Sequence, residues 1–412
     1  MEHITGSKRY LLAVQHVLAM FGATVLVPIL TGLPTSLALL SAGVGTLLFH
    51  SVTKGMVPAF LGSSFAFIGA IALILQSEGI ASVKGGVIIA GFVYIAMSLI
   101  IKIFGVEKVR SFFPPIVTGP VIIVIGLRLS PTALSMAGYS INENGLGQFD
   151  IPSLIIALSV VVTMVVVTIF AKGFFKLVPI LISVIVGYIV ATIYDVVDFS
   201  IITNAPIFGF DSESLESFLT MPKFTASAIS AIAPIALVVF IEHIGDITTN
   251  GSVVGKDFFK EPGIHRTMLG DGVATVMAGL IGGPPNTTYS ENTGVLAVTK
   301  VYDPSILRLA AIYAIIISLF GKFSGFVQSI PTAVMGGVSI ILFGMIASVG
   351  LRTLIDEQLD FSHSRNLLIT SLILVTGISI DNIFISGTLS ISGLAVSALI
   401  GVVLNKLLPK NI

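Results

Sequence analysis

Cysteine is absent from this 412-residue chain, and charged side chains make up only 10% of it. Without thiols there are no disulfides, no thiolate nucleophiles and no thiolate metal sites, and the redox compartment is left open. Lysine and arginine total 21 and aspartate and glutamate 21, so no basic excess points to nucleic acid or to an anionic membrane surface. Ser/Gly linkers, acidic tails and low-complexity blocks are also missing, and nothing marks off a separate soluble domain.

What is present is apolar. Hydrophobic residues are 55% of the chain and the mean hydropathy is +1.05, far from the mixture of a soluble globular domain. The chain reads as an integral membrane protein. Its first apolar run, from Tyr10 to about Leu30, is too long for a signal-peptide core and is read as a retained span.

Apolar windows of spanning length separated by charged or Pro/Gly-rich breaks fall at 10–31, 36–52, 83–104, 112–129, 152–171, 176–194, 226–249, 266–282, 306–326, 331–349, 365–379 and 390–408. Two further segments, 57–76 and 284–299, are interrupted by Pro58, Gly62, Ser63 and Ser64 and by Pro284, Pro285, Asn286, Thr287 and Thr288. The expected fold is therefore an all-α polytopic membrane protein with fourteen transmembrane segments. Alternation of basic residues supports that count: Lys84, Arg128, Lys223 and Lys322 fall on one side and the other 17 of the 21 on the opposite one, which places both termini in the cytoplasm. The acidic loop with Asp195, Asp198, Asp211, Glu213 and Glu216 lies outside.

The broken segments are the third and the tenth, the same place in two halves of seven. An odd number of spans inverts one half against the other, and paired interruptions point to a transporter site between inverted repeats. Irregular backbone at membrane depth must pair internally or line a cavity. Residues 62–67 and 286–290 are thus expected to form two short mid-membrane strands in segments 3 and 10, each followed by a half-helix with free N–H groups.

Ionisable groups in such a setting are candidate functional residues. Glu242 and Asp246 lie four apart, on one helix face and about 6 Å from each other. Glu291 follows the second strand and opens a half-helix, beside exposed N–H groups. Each has a structural alternative: a buried acceptor for Glu242 and Asp246, an N-cap for Glu291 and its neighbour Asn292. Gln15 and His16 lie early in the first span, the repeat mate of the eighth. Asp271, near the start of the ninth span, is expected to hydrate at the cytoplasmic surface. His243 and His265 have no partner at metal-ligand spacing, so neither a metal nor another cofactor is expected. Phe65, Phe67, Tyr289 and Phe343 are candidates for stacking on a flat ligand or for packing.

Acidic acceptors, backbone donors and aromatic faces without a fixed Lys or Arg disfavour an anion. They suit a neutral planar molecule with alternating N–H and carbonyl groups, such as the nucleobase uracil. A desolvated carboxylate holds a proton more readily than one in water, which offers a route to proton coupling; sodium could bind the same oxygens.

Residues 291–300 fit the signature of the nucleobase–ascorbate transporters, also called nucleobase:cation symporter-2. It begins with Gln, Glu or Pro, then Asn, any residue, Gly, four variable positions, Thr and a basic residue, here Glu291, Asn292, Gly294, Thr299 and Lys300. Further matches run through Gln15-His16, residues 19–28, 61–67, 113–115, 242–245, 262–266, 285–289 and 331–337. The chain resembles this family, and within it the bacterial uracil-transporting branch. The resemblance implies a seven-plus-seven inverted repeat, with a core domain of segments 1–4 (residues 1–110) and 8–11 (224–327) and a gate domain of segments 5–7 (111–223) and 12–14 (328–412).

In similar permeases the acids matching Glu242 and Glu291 bind the pyrimidine, and backbone N–H groups near Phe65 and Ser290 complete the contacts. Asp246 stands where some relatives have a His, Ser290 replaces a frequent Gly, and Phe343 a Tyr. The reading is a secondary active transporter of the plasma membrane, not an enzyme, that imports uracil with protons. Glu242, Glu291, Phe65, Ser290, Tyr289 and Asp246 would contact substrate; Glu242, Glu291, Asp246 and His16 would handle the proton; Gln15, Asn292 and Phe343 would support them. The coupling ion and a homodimer through the gate domains stay open. A purine permease for xanthine or guanine is the nearest alternative. An intramembrane aspartyl protease is weaker, since Asp271 lacks the glycine spacing its motif needs and Asp195 lies at a loop edge. A passive channel lacks a line of polar pore residues.

Overall fold

The computed structural model describes residues 6–111, 113–142, 145–386 and 389–409; Phe112, which opens the expected fifth span, and Lys410, counted among the inner basic residues, lie outside them. The principal helices are α1 (Ser7–Thr31), α2 (Thr35–Val52), α3 (Ile68–Glu78), α4 (Ile80–Phe104), α5 (Pro115–Arg128), α6 (Ile151–Phe170) and α7 (Pro179–Ile193) in the first half. In the second half they are α8 (Ile235–Val254), α9 (Ile264–Ile281), α10 (Ser290–Thr299), α11 (Pro304–Ser318), α12 (Thr332–Asp356), α13 (Ser364–Ser379) and α14 (Gly393–Leu407).

Among the described residues, seven helical stretches are long and apolar enough to cross a bilayer, or eight if α11 and the following helix Gly321–Gln328 form one span. The chain is thus a multi-pass membrane protein. The other windows expected to span coincide with shorter or more polar helices. One expectation is corrected: 306–326 is not a straight span, because its two helices bend by 82°. The bend coincides with contacts from a loop distant in sequence. Gly209 N–H donates to the Leu319 carbonyl at 2.7 Å, and Gly321 lies so near the Pro206 carbonyl that a Cβ would come within 2.5 Å of its oxygen.

Helix contacts come in matched sets. α4 packs on α9 as α11 packs on α2, α6 pairs with α7 as α13 pairs with α14, and α12 contacts α6 as α5 contacts α13. Exchanging the seven labels of one half for those of the other converts each contact into its counterpart.

Where the helices of the broken segments begin, strands β1 (Leu61–Ser63) and β2 (Asn286–Thr288) pair antiparallel, with Leu61 opposite Thr288, Gly62 opposite Thr287 and Ser63 opposite Asn286. All six residues are buried, so their remaining backbone groups need partners from neighbouring helices. Thr46 of α2 receives the Leu61 N–H at 2.9 Å, and Thr275 of α9 receives the Asn286 N–H at 3.2 Å and donates to its carbonyl at 3.2 Å. Beyond the strands, Ser64 N–H reaches the Pro285 carbonyl and Tyr289 N–H the Phe60 carbonyl, both at 2.9 Å.

Two of the four basic residues expected outside are spent on helix ends. The buried Lys84 ammonium donates to the carbonyls of Ser217, Phe218 and Thr220 at 3.0, 3.1 and 2.7 Å, at the end of the helix Ser212–Leu219. Lys322 does the same for Ile202 and Thr203 at 2.9 and 2.8 Å, at the end of the helix Ser200–Asn204. Both satisfy carbonyls that a helix terminus leaves unpaired.

Candidate functional site

α8 runs past the strand pair and packs on both β2 and α10. Its Glu242 and Asp246 are half-buried, as is Glu291 in the first turn of α10, while Gly245 and Ser290 between them are exposed; the three carboxylates therefore border open space. Glu242 interacts electrostatically with Asp246 and Glu291, and Asp246 with Glu291. Among the described residues, no Lys or Arg pairs with any of the three. Among the described residues none donates a hydrogen bond to Glu242, and Glu291 folds back on its own backbone N–H.

The helix starts beside these acids lack side-chain caps. Tyr289 precedes α10 and Ser64 precedes the 3-10 turn Phe65–Phe67, and neither bonds the N–H groups that follow. Two sets of donors thus flank the strand crossing, with a positive dipole end at α10.

Asp246 is engaged by the scaffold. Its two oxygens accept from Thr288 Oγ1 at 3.2 Å and from Ser290 Oγ at 2.6 Å, so it holds the end of β2 to the start of α10. The Ser290 hydroxyl is drawn toward Asp246. Asn292, fully buried, donates from Nδ2 to the His16 carbonyl at 3.0 Å and faces His16 Nδ1 at 3.1 Å, which ties α10 to α1. Because the carbonyl accepts from this same nitrogen, Nδ1 of His16 is the acceptor and Nε2 bears the ring proton. Among the described residues, no donor reaches the buried acceptors Gln15 Oε1 and Asn292 Oδ1.

Tyr289 is buried, and its hydroxyl donates to the Ser63 carbonyl at 2.9 Å. Its ring lies over Gly62, where any Cβ would come within 2.3 Å of ring carbon, so only glycine fits there. This places Tyr289 in the strand crossing. Phe65 is half-buried and meets Phe343 of α12 edge to face, with centroids 6.4 Å apart, which joins the broken segment to α12. Phe67 is fully buried in the apolar core.

Asp271 requires a correction. The sequence reading has it hydrated near the surface, yet it is fully buried, and its Oδ2 lies 2.8 Å from His243 Nδ1. The cause is a partner on another helix: one residue after Glu242, His243 points about 100° around α8 toward α9. Its Nε2 lies 2.8 Å from Thr267 Oγ1, and that hydroxyl donates to the Ile264 carbonyl at 2.9 Å. Both ionisable side chains stand in apolar runs, which is the signal that could have found them. Asp195, by contrast, is exposed in a turn with φ +56°.

Residues 7–385 match the family model described as the permease family. A probable uracil permease of Haemophilus influenzae is 43% identical over 410 residues, covering 99% of this chain and 96% of the relative. The uracil permease of Bacillus caldolyticus is 46% identical over 400 residues, covering 97% and 91%. Among solved structures, the transmembrane domain of the cyanobacterial bicarbonate transporter BicA superimposes with a TM-score of 0.66 at 17% identity, covering 97% of both chains. Murine Solute Carrier 26 family member A9, an anion transporter in the inward-facing state, gives 0.71 at 12% identity, covering 98% of this chain and 69% of the other. These structures share the fold.

Proposed function

From the premise that this chain belongs to the permease family, in its nucleobase–ascorbate branch, we propose that it imports uracil together with protons. One observation carries the reading: Glu242 and Glu291, brought together beside paired strands, border open space with no cation among the groups acting on them. Glu242 accepts a ring N–H and Glu291 a second. Uncapped amides at Phe65 and Ser290 donate to the ring carbonyls, and Phe65 covers one face.

The matched helix contacts support a reading of fourteen segments as two inverted halves of seven, with the strand crossing at mid-membrane. The core domain then comprises 1–110 and 224–327 and the gate domain 111–223 and 328–412. Both termini face the cytoplasm of the plasma membrane. Rocking of the gate, whose Phe343 touches Phe65, against the core opens the site to each side in turn. Asp246 positions the start of α10, and His16 with Asn292 holds α10 to α1.

The test is uptake of labelled uracil into proteoliposomes under an imposed pH gradient, with and without sodium, and with unlabelled xanthine, guanine and thymine as competitors. Accumulation that needs the pH gradient, ignores sodium and is displaced by pyrimidines alone is expected. Accumulation driven by sodium alone, or displacement of the label by purines, would sink the corresponding part of the reading.

A further inference from the structure

We propose that the buried triad His243–Asp271–Thr267 stores the coupling proton, one per transport cycle, taken up from water at the His243 ring and returned to it. The proposal rests on the proton-symport reading above and assigns the proton to a place behind the substrate site.

Hydrogen-bond bookkeeping is the main ground. In the loaded state both ring nitrogens carry hydrogen. Nδ1–H donates to Asp271 Oδ2 at 2.8 Å, Nε2–H donates to Thr267 Oγ1 at 2.8 Å, and the Thr267 hydroxyl donates to the Ile264 carbonyl at 2.9 Å. In the unloaded state the Nε2–H bond is broken and its proton has gone to water. The Thr267 hydroxyl then turns about its C–O bond and donates to Nε2, while Nδ1–H stays on Asp271. Every ring nitrogen keeps a partner in both states, and no heavy atom moves. The triad goes from neutral to a single negative charge, with His243 and Asp271 side chains 0% and 1% exposed.

That charge is felt at the substrate. Asp271 interacts with Glu242, and the buried Tyr94 of α4 interacts with both. Backbone contact between α4 and α9 brings Tyr94 there: a Cβ on Gly272 would lie 3.0 Å from Ile95 N, and one on Gly91 would lie 2.7 Å from Val276 N. Tyr94 Oη and Asp271 Oδ1 are both buried without a protein partner. Of the other elements on α9, α2 brings His50, bound to the Ala59 carbonyl at 2.8 Å, β2 brings no ionisable residue, and the turn Phe259–Gly263 and the helix Ser212–Leu219 bring Lys260, Glu261, Glu213 and Glu216, all exposed. The remaining charged residues of α4 and α9 are Lys84 and Lys102 and, beside His265, Arg266, toward the helix ends. With Glu242 ionised throughout, the neutral, loaded triad is the state that favours its carboxylate accepting the substrate N–H, and that difference is the coupling free energy that symport needs.

The test compares wild type with Thr267→Val, Thr267→Ser and Asp271→Asn. Uracil binding and exchange are followed in the purified protein, proton exchange on uracil addition with an indicator dye, and accumulation in proteoliposomes. At one proton per uracil, a one-unit pH gradient sustains about a tenfold internal excess in wild type. Thr267→Val and Asp271→Asn are expected to bind and exchange uracil but to show no proton signal and no excess, while Thr267→Ser restores both. If Asp271→Asn does not fold, the Thr267 pair decides. Wild-type proton exchange and accumulation in Thr267→Val would overturn the proposal and leave uracil symport standing. A wild type that accumulates uracil without the pH gradient would overturn both.

Discussion

The Asp246 carboxylate accepts the Ser290 hydroxyl at 2.6 Å and so clamps α8 to the first residue of α10, on which Glu291 follows. Replacing Asp246 by Ala strands two hydroxyls, those of Ser290 and Thr288, at the edge of the site. The detergent-solubilised protein should lose about 1–3 kcal/mol of stability, read as a lower midpoint in a thermal-shift assay. Asp246→Asn, which keeps an acceptor, should lose much less. Equal midpoints for the two variants would argue against the clamp.

Gly62 and Tyr289 form a steric pair. Gly62→Ala forces a methyl group into the Tyr289 ring and is expected to abolish folded, monodisperse protein. Combining it with Tyr289→Ala should restore part of the yield on size-exclusion chromatography. Tyr289→Phe alone keeps the packing and gives up one hydrogen bond, about 1 kcal/mol.

Glu242→Gln is expected to abolish uracil accumulation in proteoliposomes while the protein remains folded. Wild-type uptake rates in that variant would remove the acid from the mechanism.

Glu291→Gln replaces an acceptor-only group with an amide that also donates. Uracil affinity should fall about ten- to a hundredfold, the worth of a hydrogen bond to a charged group. Inhibition of uptake by xanthine should rise in step, since the amide supplies a donor that the carboxylate lacks. Unchanged competition profiles would count against Glu291 as a ligand.

Thr46→Val and Thr275→Val each leave a strand N–H unpaired in a buried setting. Each should lower the thermal midpoint by a similar amount, corresponding to about 1–3 kcal/mol. A null effect at one site and a large one at the other would contradict the matched bracing.

The strand crossing was legible because Gly62, Ser63 and Ser64 and the run from Pro284 to Thr288 break apolar segments at positions where a helix has no remedy for its backbone. The sequence reading placed strands over 62–67 and 286–290, and they occupy 61–63 and 286–288. The bend after Ser318 was hidden, since it arises from Pro206 and Gly209 pressing on Gly321 and Leu319 from a distant loop. Asp271 was misplaced for the same kind of reason: hydropathy reports distance from a span's end, whereas its burial depends on His243, 28 residues away on another helix. The strand pairs at 139–141 with 147–149 and at 382–386 with 389–392 were not foreseen: the first sits in a stretch read as an ordinary connection, and the second reaches into the start of the window 390–408 read as a span, whose helix begins only at Gly393.

Ser63 and Tyr289 are 226 residues apart in the chain, and so are, within a few positions, all the partners in the strand crossing. A ribosome that has released the first seven helices into the bilayer has made only half of each such contact. Strand β1 must wait, with unpaired buried backbone, until β2 arrives. Biogenesis of this protein is therefore exposed to quality control for the whole of that interval, and fragments 1–223 and 224–412 produced separately should each be degraded but survive when made together.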